Sequence, residues 1–182
     1  MILGLTGKNA SGKGETAEYL KSKGFVYFSL SNELREELKE KGISESRENL
    51  IDLGNELRKK FGTKHLASKI NNKISIEKNG NNFAVDSIRN PGEILELKKN
   101  KNFILLGIDA PVELRYERAK ERGRVGEATT LQHFIKLEER ENFNKSANQQ
   151  LDKCLEMADK VIFNNRSLEE LHKKIDSFLN GL

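Results

Sequence analysis

Residues 7–14 of this 182-residue chain, Gly7-Lys8-Asn9-Ala10-Ser11-Gly12-Lys13-Gly14, constrain it more than any other stretch. They follow an apolar run, Ile2-Leu3-Gly4-Leu5, and open a segment with helical periodicity. A strand, a glycine-rich loop and a helix in that order turn successive backbone N–H groups inward around a phosphate chain. The helix N-terminus behind the loop adds about half a positive charge. Lys13 bridges the outer phosphates in such a loop. The usual pattern places Ser or Thr after the lysine as a magnesium ligand, and here that position is Gly14.

The rest of the chain is hydrophilic, with 33% charged and 36% hydrophobic residues, so the core is modest and the surface polar. No apolar run approaches the ~20 residues a membrane-spanning helix needs. The chain enters its first strand directly, so no signal peptide is expected. Cys154 stands alone, which excludes an intrachain disulfide and fits a reducing, cytoplasmic setting. The net charge of +4 is mild, and basic residues alternate with acids, so neither a nucleic acid nor a membrane is an expected partner. The oligomeric state stays open.

Short apolar runs without strict alternation predict strands at 2–6, 25–28, 82–86, 102–108 and 160–163, the pattern of a parallel sheet buried on both faces. Helices are predicted at 13–23, 31–41, 47–60, 64–77, 92–99, 111–122, 130–142, 147–158 and 168–179. Ser31 and Thr63 read as N-caps, Ser167 with Glu170 as a capping box, and Pro91 and Pro111 as helix starts. Strands interleaved with helices mean a three-layer α/β fold with one five-stranded parallel sheet and ligands at the strands' C-terminal ends. Two long helical excursions leave from that edge: a lobe at about 31–77, and a lid at about 123–146. Both are expected to belong to one domain over 1–182.

Side chains on the same edge point to a second anion. Ser29 and Ser31 follow the second predicted strand, with Arg35 beyond them. Asp86 ends the apolar run Phe83-Ala84-Val85, the place of a metal-organising acid, and Arg89 is three residues on. An arginine fork presents parallel donors to two phosphate oxygens. Among Glu33, Glu36 and Glu37, Arg35 reads equally as a solvated helix residue. Arg115, Arg118, Arg122 and Arg124 form a further cluster, with Arg118 and Arg122 four apart on one helix face. Interspersed acids explain Arg115 as a surface ion pair; Arg140 divides evenly between closing over a nucleotide and pairing with its neighbouring glutamates. Arg58 either lines an acceptor pocket or is solvated. His65, His133 and His172 lack metal-ligand spacing, and Cys154 reads as a small apolar filler.

In this order the motifs resemble the nucleoside monophosphate kinases, the adenylate-kinase-like branch of the P-loop kinases. Gly12-Lys13-Gly14 is similar to that branch's Gly-Lys-Gly-Thr, with Glu15 intervening before Thr16. Ser29 to Arg35 resembles Ser-Thr-Gly-Asp-x-Leu-Arg, with Asn32 where the family has aspartate. Asp86-Ser87-Ile88-Arg89 resembles Asp-Gly-Phe-Pro-Arg, one residue shorter. Pro111 to Arg122 resembles the helix whose arginines clamp the donor at the mouth of the lid. The ending, Ala158 to Asn165 with Ser167 to Leu171, is more like the dephospho-CoA kinases. The whole chain also resembles a group of archaeal P-loop kinase-like proteins.

The resemblance implies ATP as donor and Mg²⁺ as cofactor. ATP would be held by Gly7, Asn9, Ala10, Ser11, Gly12, Lys13, Gly14, Glu15, Thr16, Arg118 and Arg122. A phosphorylated acceptor would lie on Ser29, Ser31, Arg35, Arg58, Arg89 and Arg140, and magnesium would be held through water by Asp86. Lys13, Asp86, Arg89 and Arg122 would carry catalysis. A phosphate acceptor needs no general base, whereas a dephospho-CoA kinase attacks from a sugar hydroxyl and carries an Asp-Ala-Asp signature. Leu30-Ser31-Asn32 stands in that place, which favours a nucleoside or deoxynucleoside monophosphate. Dephospho-CoA, and a non-catalytic nucleotide-binding module, remain open.

Overall fold

A computed structural model describes residues 1–77, 80–123, 128–142 and 147–182, without the side chains of residues 140 and 141. Five parallel strands, β1 (Ile2–Thr6), β2 (Val26–Ser29), β3 (Phe83–Ile88), β4 (Phe103–Asp109) and β5 (Lys160–Phe163), form one sheet in the order β2-β3-β1-β4-β5. Among the described residues nine helices connect them: α1 (Lys13–Ser22), α2 (Leu30–Glu40), α3 (Arg47–Phe61), α4 (His65–Ile76), α5 (Pro91–Leu97), α6 (Val112–Arg122), α7 (Leu131–Glu141), α8 (Leu151–Glu156) and α9 (Leu168–Leu179). The expected α/β architecture and every predicted element are present. None of these helices is long and apolar enough to cross a membrane.

Alternation along β1 builds the two layers of core. Leu3 and Leu5 face α1 and α9, meeting Ala17, Leu20, Leu171 and Ile175. Ile2 faces the other side, where α2 to α5 and α8 supply Leu34, Leu57, Ile70, Ile94 and Cys154. Gly4 shares that side, and a Cβ there would lie 2.6 Å from the Phe103 ring. Cys154 is fully buried as the expected filler, and burial pushes its thiol up to about 12.

Several boundaries differ from expectation. β3 continues through Asp86 and Ser87 to Ile88, with an irregularity opposite β1 between Gly4 and Thr6. The α2 N-cap position is Ser29, not Ser31, and neither hydroxyl caps the helix, since both are bonded to other side chains. α8 starts at Leu151, not at 147, because residues 148–150 bond instead to Arg89 and Asn90. Lys64 rather than Thr63 occupies the N-cap position of α4, with no side-chain cap bond, whereas Ser167 caps α9 by accepting from the Glu170 N–H.

Beneath the sheet edge Arg58 of α3 and Glu93 of α5 form a buried ion pair at 2.8 Å, their side chains 2% and 0% exposed. The second Glu93 oxygen accepts from the backbone N–H groups of Arg89 (2.8 Å) and Asn90 (3.0 Å), completing a capping box at the start of α5. Truncating one member strands a buried charge. Arg58→Ala is therefore expected to cost about 3–5 kcal/mol in urea unfolding, against under about 1 kcal/mol for an exposed pair such as Lys173–Glu169.

Candidate active site

The loop between β1 and α1 has the backbone its glycines demand. Gly7 has φ +146° and Gly12 φ +108°, and Ala10 sits at φ +57°. A Cβ on Gly7 would lie 2.0 Å from the Ile108 carbonyl oxygen, and one on Gly12 2.2 Å from Asn164 Nδ2. That amide donates to the Ser11 carbonyl at 2.9 Å, tying the loop to the segment after β5. Lys13 Nζ donates to the carbonyls of Gly7 and Lys8, both at 2.7 Å, so the ammonium stands across the loop. Ser11 is buried, with no partner for its hydroxyl among the described residues.

Beside this loop opens a cleft of about 640 Å³. Asn9, Arg122 and Gly123 line its loop end, and Ser31, Arg35, Ser87, Arg89 and Gln149 its middle. Leu30, Leu34, Leu50, Ile51 and Leu66 form an apolar wall near Arg47 and Arg58. Among the described residues five arginines thus line the cleft against one carboxylate, Glu45, which accepts from Arg35 Nε at 2.8 Å. Arg89 Nη1 donates to Gln149 Oε1 at 3.0 Å, and Arg122 Nη2 to Asn9 Oδ1 at 3.1 Å. Glu33 is turned away, paired with Lys73 of α4.

Asp86 is buried behind Ser87. Its Oδ2 accepts from Tyr27 (3.2 Å) and Ser87 (3.3 Å), while Oδ1 is buried with no partner. Burial, then the Asp86 charge, pushes the Tyr27 hydroxyl up to about 12, so it stays a donor. No group of three metal-ligating side chains occurs among the described residues. A bare carboxylate oxygen and a side-chain-free Gly14 suit magnesium held through water and phosphate oxygens rather than in a protein cage.

Some expected contacts fall elsewhere. The Thr16 hydroxyl gives its proton to the Gly12 carbonyl at 3.1 Å within its own helix, and the residue is fully buried. Arg58 touches the cleft, but its guanidinium is committed to Glu93. Ser29 is buried behind Ser31 and Ser87 instead of lining the cleft. Arg118 and Arg122 diverge: Arg122 faces the main cleft, and Arg118 faces a second hollow lined by Gly12, Glu15, Asn164 and Arg166. Burial lowers the Arg118 pKa, and its Nη1 has no hydrogen-bond partner among the described residues. Arg124 and the side chain of Arg140 lie outside the described residues.

Sequence reasoning missed Arg115, read as a surface pair. It is 3% exposed, donates to the carbonyls of Ala110 (2.9 Å) and Asn9 (3.4 Å), and pairs with Glu138 of α7. Arg47, Gln149 and Glu93 were missed too; only Glu93 had a signal, the Asn90-Pro91-Gly92-Glu93 capping pattern.

A phosphate-binding loop on a five-stranded parallel sheet, beside an arginine-lined cleft, defines a P-loop protein with a kinase-like fold. Comparison with known proteins agrees. Residues 6–135 match the AAA domain family. A UPF0200 protein of Sulfurisphaera tokodaii is 31% identical over 183 residues, covering 100% of this chain and 97% of that protein. A UPF0200 protein of Pyrococcus horikoshii is 29% identical over 187 residues, covering 100% and 97%. The chain belongs to the AAA domain family and to the UPF0200 proteins. Shikimate kinase from Acinetobacter baumannii in complex with shikimate shares the fold, at TM-score 0.61 and 16% identity over 99% of this chain and 93% of that one. So does shikimate kinase from Aquifex aeolicus, at TM-score 0.56 and 19% identity over 100% and 97%.

The loop geometry separates two substitutions only two residues apart. Gly12→Ala collides with Asn164 and is expected to weaken nucleotide binding at least about tenfold by calorimetry. Gly14→Ser meets nothing within 4 Å and is expected to leave thermal stability within about 0.5 kcal/mol of the parent.

Proposed function

We propose that this chain is a small-molecule phosphotransferase that moves the γ-phosphate of ATP to a phosphate oxygen of a nucleoside or deoxynucleoside monophosphate. The observation that carries the reading is the cleft beside the P-loop, where Arg35, Arg47, Arg89 and Arg122 line the wall beside the Glu93-paired Arg58 and no unpaired carboxylate does so among the described residues. Such a lining suits an acceptor that is already an anion and needs no base to generate its nucleophile. Glu33, the acid nearest a hydroxyl-activating position in sequence, is paired with Lys73 on the far side of α2.

In this reading the loop amides and Lys13 hold the β- and γ-phosphates of the donor. Arg35 and Arg89 hold the acceptor phosphate, oriented by Ser31 and Gln149 respectively. The lobe at 31–77 supplies the apolar wall for the acceptor's remaining body. Arg122, bonded to Asn9 of the loop, stands where donor and acceptor phosphates meet and offsets charge on the transferring group. Arg118 borders the hollow on the other flank of the loop, a place for the donor's base. Asp86 would hold magnesium through water. Bound there, the ion neutralises charge on the β- and γ-phosphate oxygens.

Two other acceptor chemistries deserve arms in the test. The structural relatives named shikimate kinase act on a hydroxyl compound by their names, and the C-terminal motif resembles dephospho-CoA kinases. An assay of ADP formation across nucleoside and deoxynucleoside monophosphates, shikimate and dephospho-CoA is expected to respond to one or a few monophosphates. Response to a hydroxyl acceptor instead, or slow hydrolysis indifferent to every acceptor, would overturn the reading. Lys13→Ala is expected to reduce turnover below about one-thousandth with an unchanged melting temperature. Arg89→Ala is expected to raise the acceptor KM at least about tenfold and to leave the ATP KM within about twofold.

A further inference from the structure

Ser87 has φ +65°, in the left-handed region that a residue with a Cβ rarely occupies. It sits inside β3, where Asp86 and Ser87 fall between the pairs Gly4–Val85 and Thr6–Ile88, so two residues face one across the β1 ladder. Glycine would occupy this position without strain. The serine therefore needs a reason, and its hydroxyl supplies one.

Three hydroxyls and one carboxylate meet here. Ser29 Oγ donates to Ser87 Oγ at 3.3 Å, and Ser87 Oγ donates to Asp86 Oδ2 at 3.3 Å. Ser31 Oγ lies 2.9 Å from Ser87 Oγ and 3.0 Å from Ser29 Oγ, and accepts from Arg35 Nη1 at 3.2 Å. Each hydroxyl carries one proton. In the two Ser31 contacts either oxygen can be the donor. A hydrogen-bonded chain thus runs from Arg35 through Ser31 and Ser87 to one oxygen of Asp86. Tyr27 donates to the same oxygen from the opposite flank. Oδ2 is saturated, and Oδ1 is left buried and bare.

We propose that Ser87 is a positioning residue, held in a strained backbone so that its hydroxyl, together with Tyr27, pins Oδ2 of Asp86 and leaves Oδ1 to serve the metal-bound nucleotide. The inference rests on the reading of Asp86 as the magnesium-organising acid. Orienting partners of this kind are worth about tenfold to a hundredfold in metal affinity.

The test measures binding, without turnover or acceptor. The affinity of the full chain for a non-hydrolysable ATP analogue with an imido β–γ bridge is determined by calorimetry in excess EDTA and again in Mg²⁺. The ratio of the two affinities reports the metal-dependent gain. In Ser87→Gly and Ser87→Ala that ratio is expected to fall about tenfold, with the EDTA affinity unchanged. Ser87→Gly is also expected to melt at or above the parent temperature, because the strain is relieved. Tyr27→Phe is expected to lower the ratio in the same direction.

A parent-like ratio in both Ser87 variants overturns the proposal while leaving the phosphotransferase reading intact. So does an equal loss in EDTA and Mg²⁺, which marks a distorted loop rather than a misplaced carboxylate. A parent protein that binds the analogue with no metal-dependent gain removes the reading of Asp86, and this proposal with it.

Discussion

One buried carboxylate organises the arginine-lined cleft of this molecule. Glu93 is fully enclosed, and each of its oxygens has a separate task. One neutralises Arg58, which would otherwise add a bound cation to the far end of the cleft. The other gathers the N–H groups of Arg89 and Asn90 at the start of α5. The turn that carries Arg89 is thereby locked to the core, and Asn90 reaches the Asn148 carbonyl while Arg89 reaches Gln149. An arginine meant to meet a phosphate must be held before the phosphate arrives, since ordering it at that moment costs rotamer entropy.

The loop between β1 and α1 is held in a similar way, through its main-chain carbonyls. Asn164, beyond β5, reaches back across the sheet to the Ser11 carbonyl and fills the space a side chain on Gly12 would need. Arg115 does the equivalent from β4 and α6, bonding the Asn9 carbonyl while paired to Glu138. Its guanidinium also lies over the Phe134 ring, 5.7 Å from the centroid, within the small apolar cluster that joins α6 to α7. The phosphate-binding loop is thus clamped by residues about 100 and 150 positions away.

Most of the fold was legible along the chain. Runs such as Phe83-Ala84-Val85 and Ile104-Leu105-Leu106 declare buried strands because both faces of a parallel sheet are apolar. Helix ends were read well where a side chain bonds its own next turn, as at Ser167, and poorly where a polar side chain has a distant partner. Ser31 looks like a cap in one dimension and is a member of a hydroxyl cluster in three. Residues 147–150 carry a helical pattern, yet their polar groups answer to Arg89 and Asn90.

The site divides in the same way. Gly7, Gly12 and Lys13 could be assigned a phosphate from spacing alone, because a tight loop between a strand and a helix has few ways to turn and its donors belong to the backbone. Charge by itself did not sort the arginines. Arg58 and Arg115 are held by buried carboxylates, Arg118 and Arg122 open into different hollows, and Arg35 and Arg89 line the cleft. Residue type determines that an arginine will seek an anion. Which anion it meets, a glutamate of its own chain or the phosphate of a guest, is decided by packing, because that alone brings segments far apart in sequence within hydrogen-bonding distance.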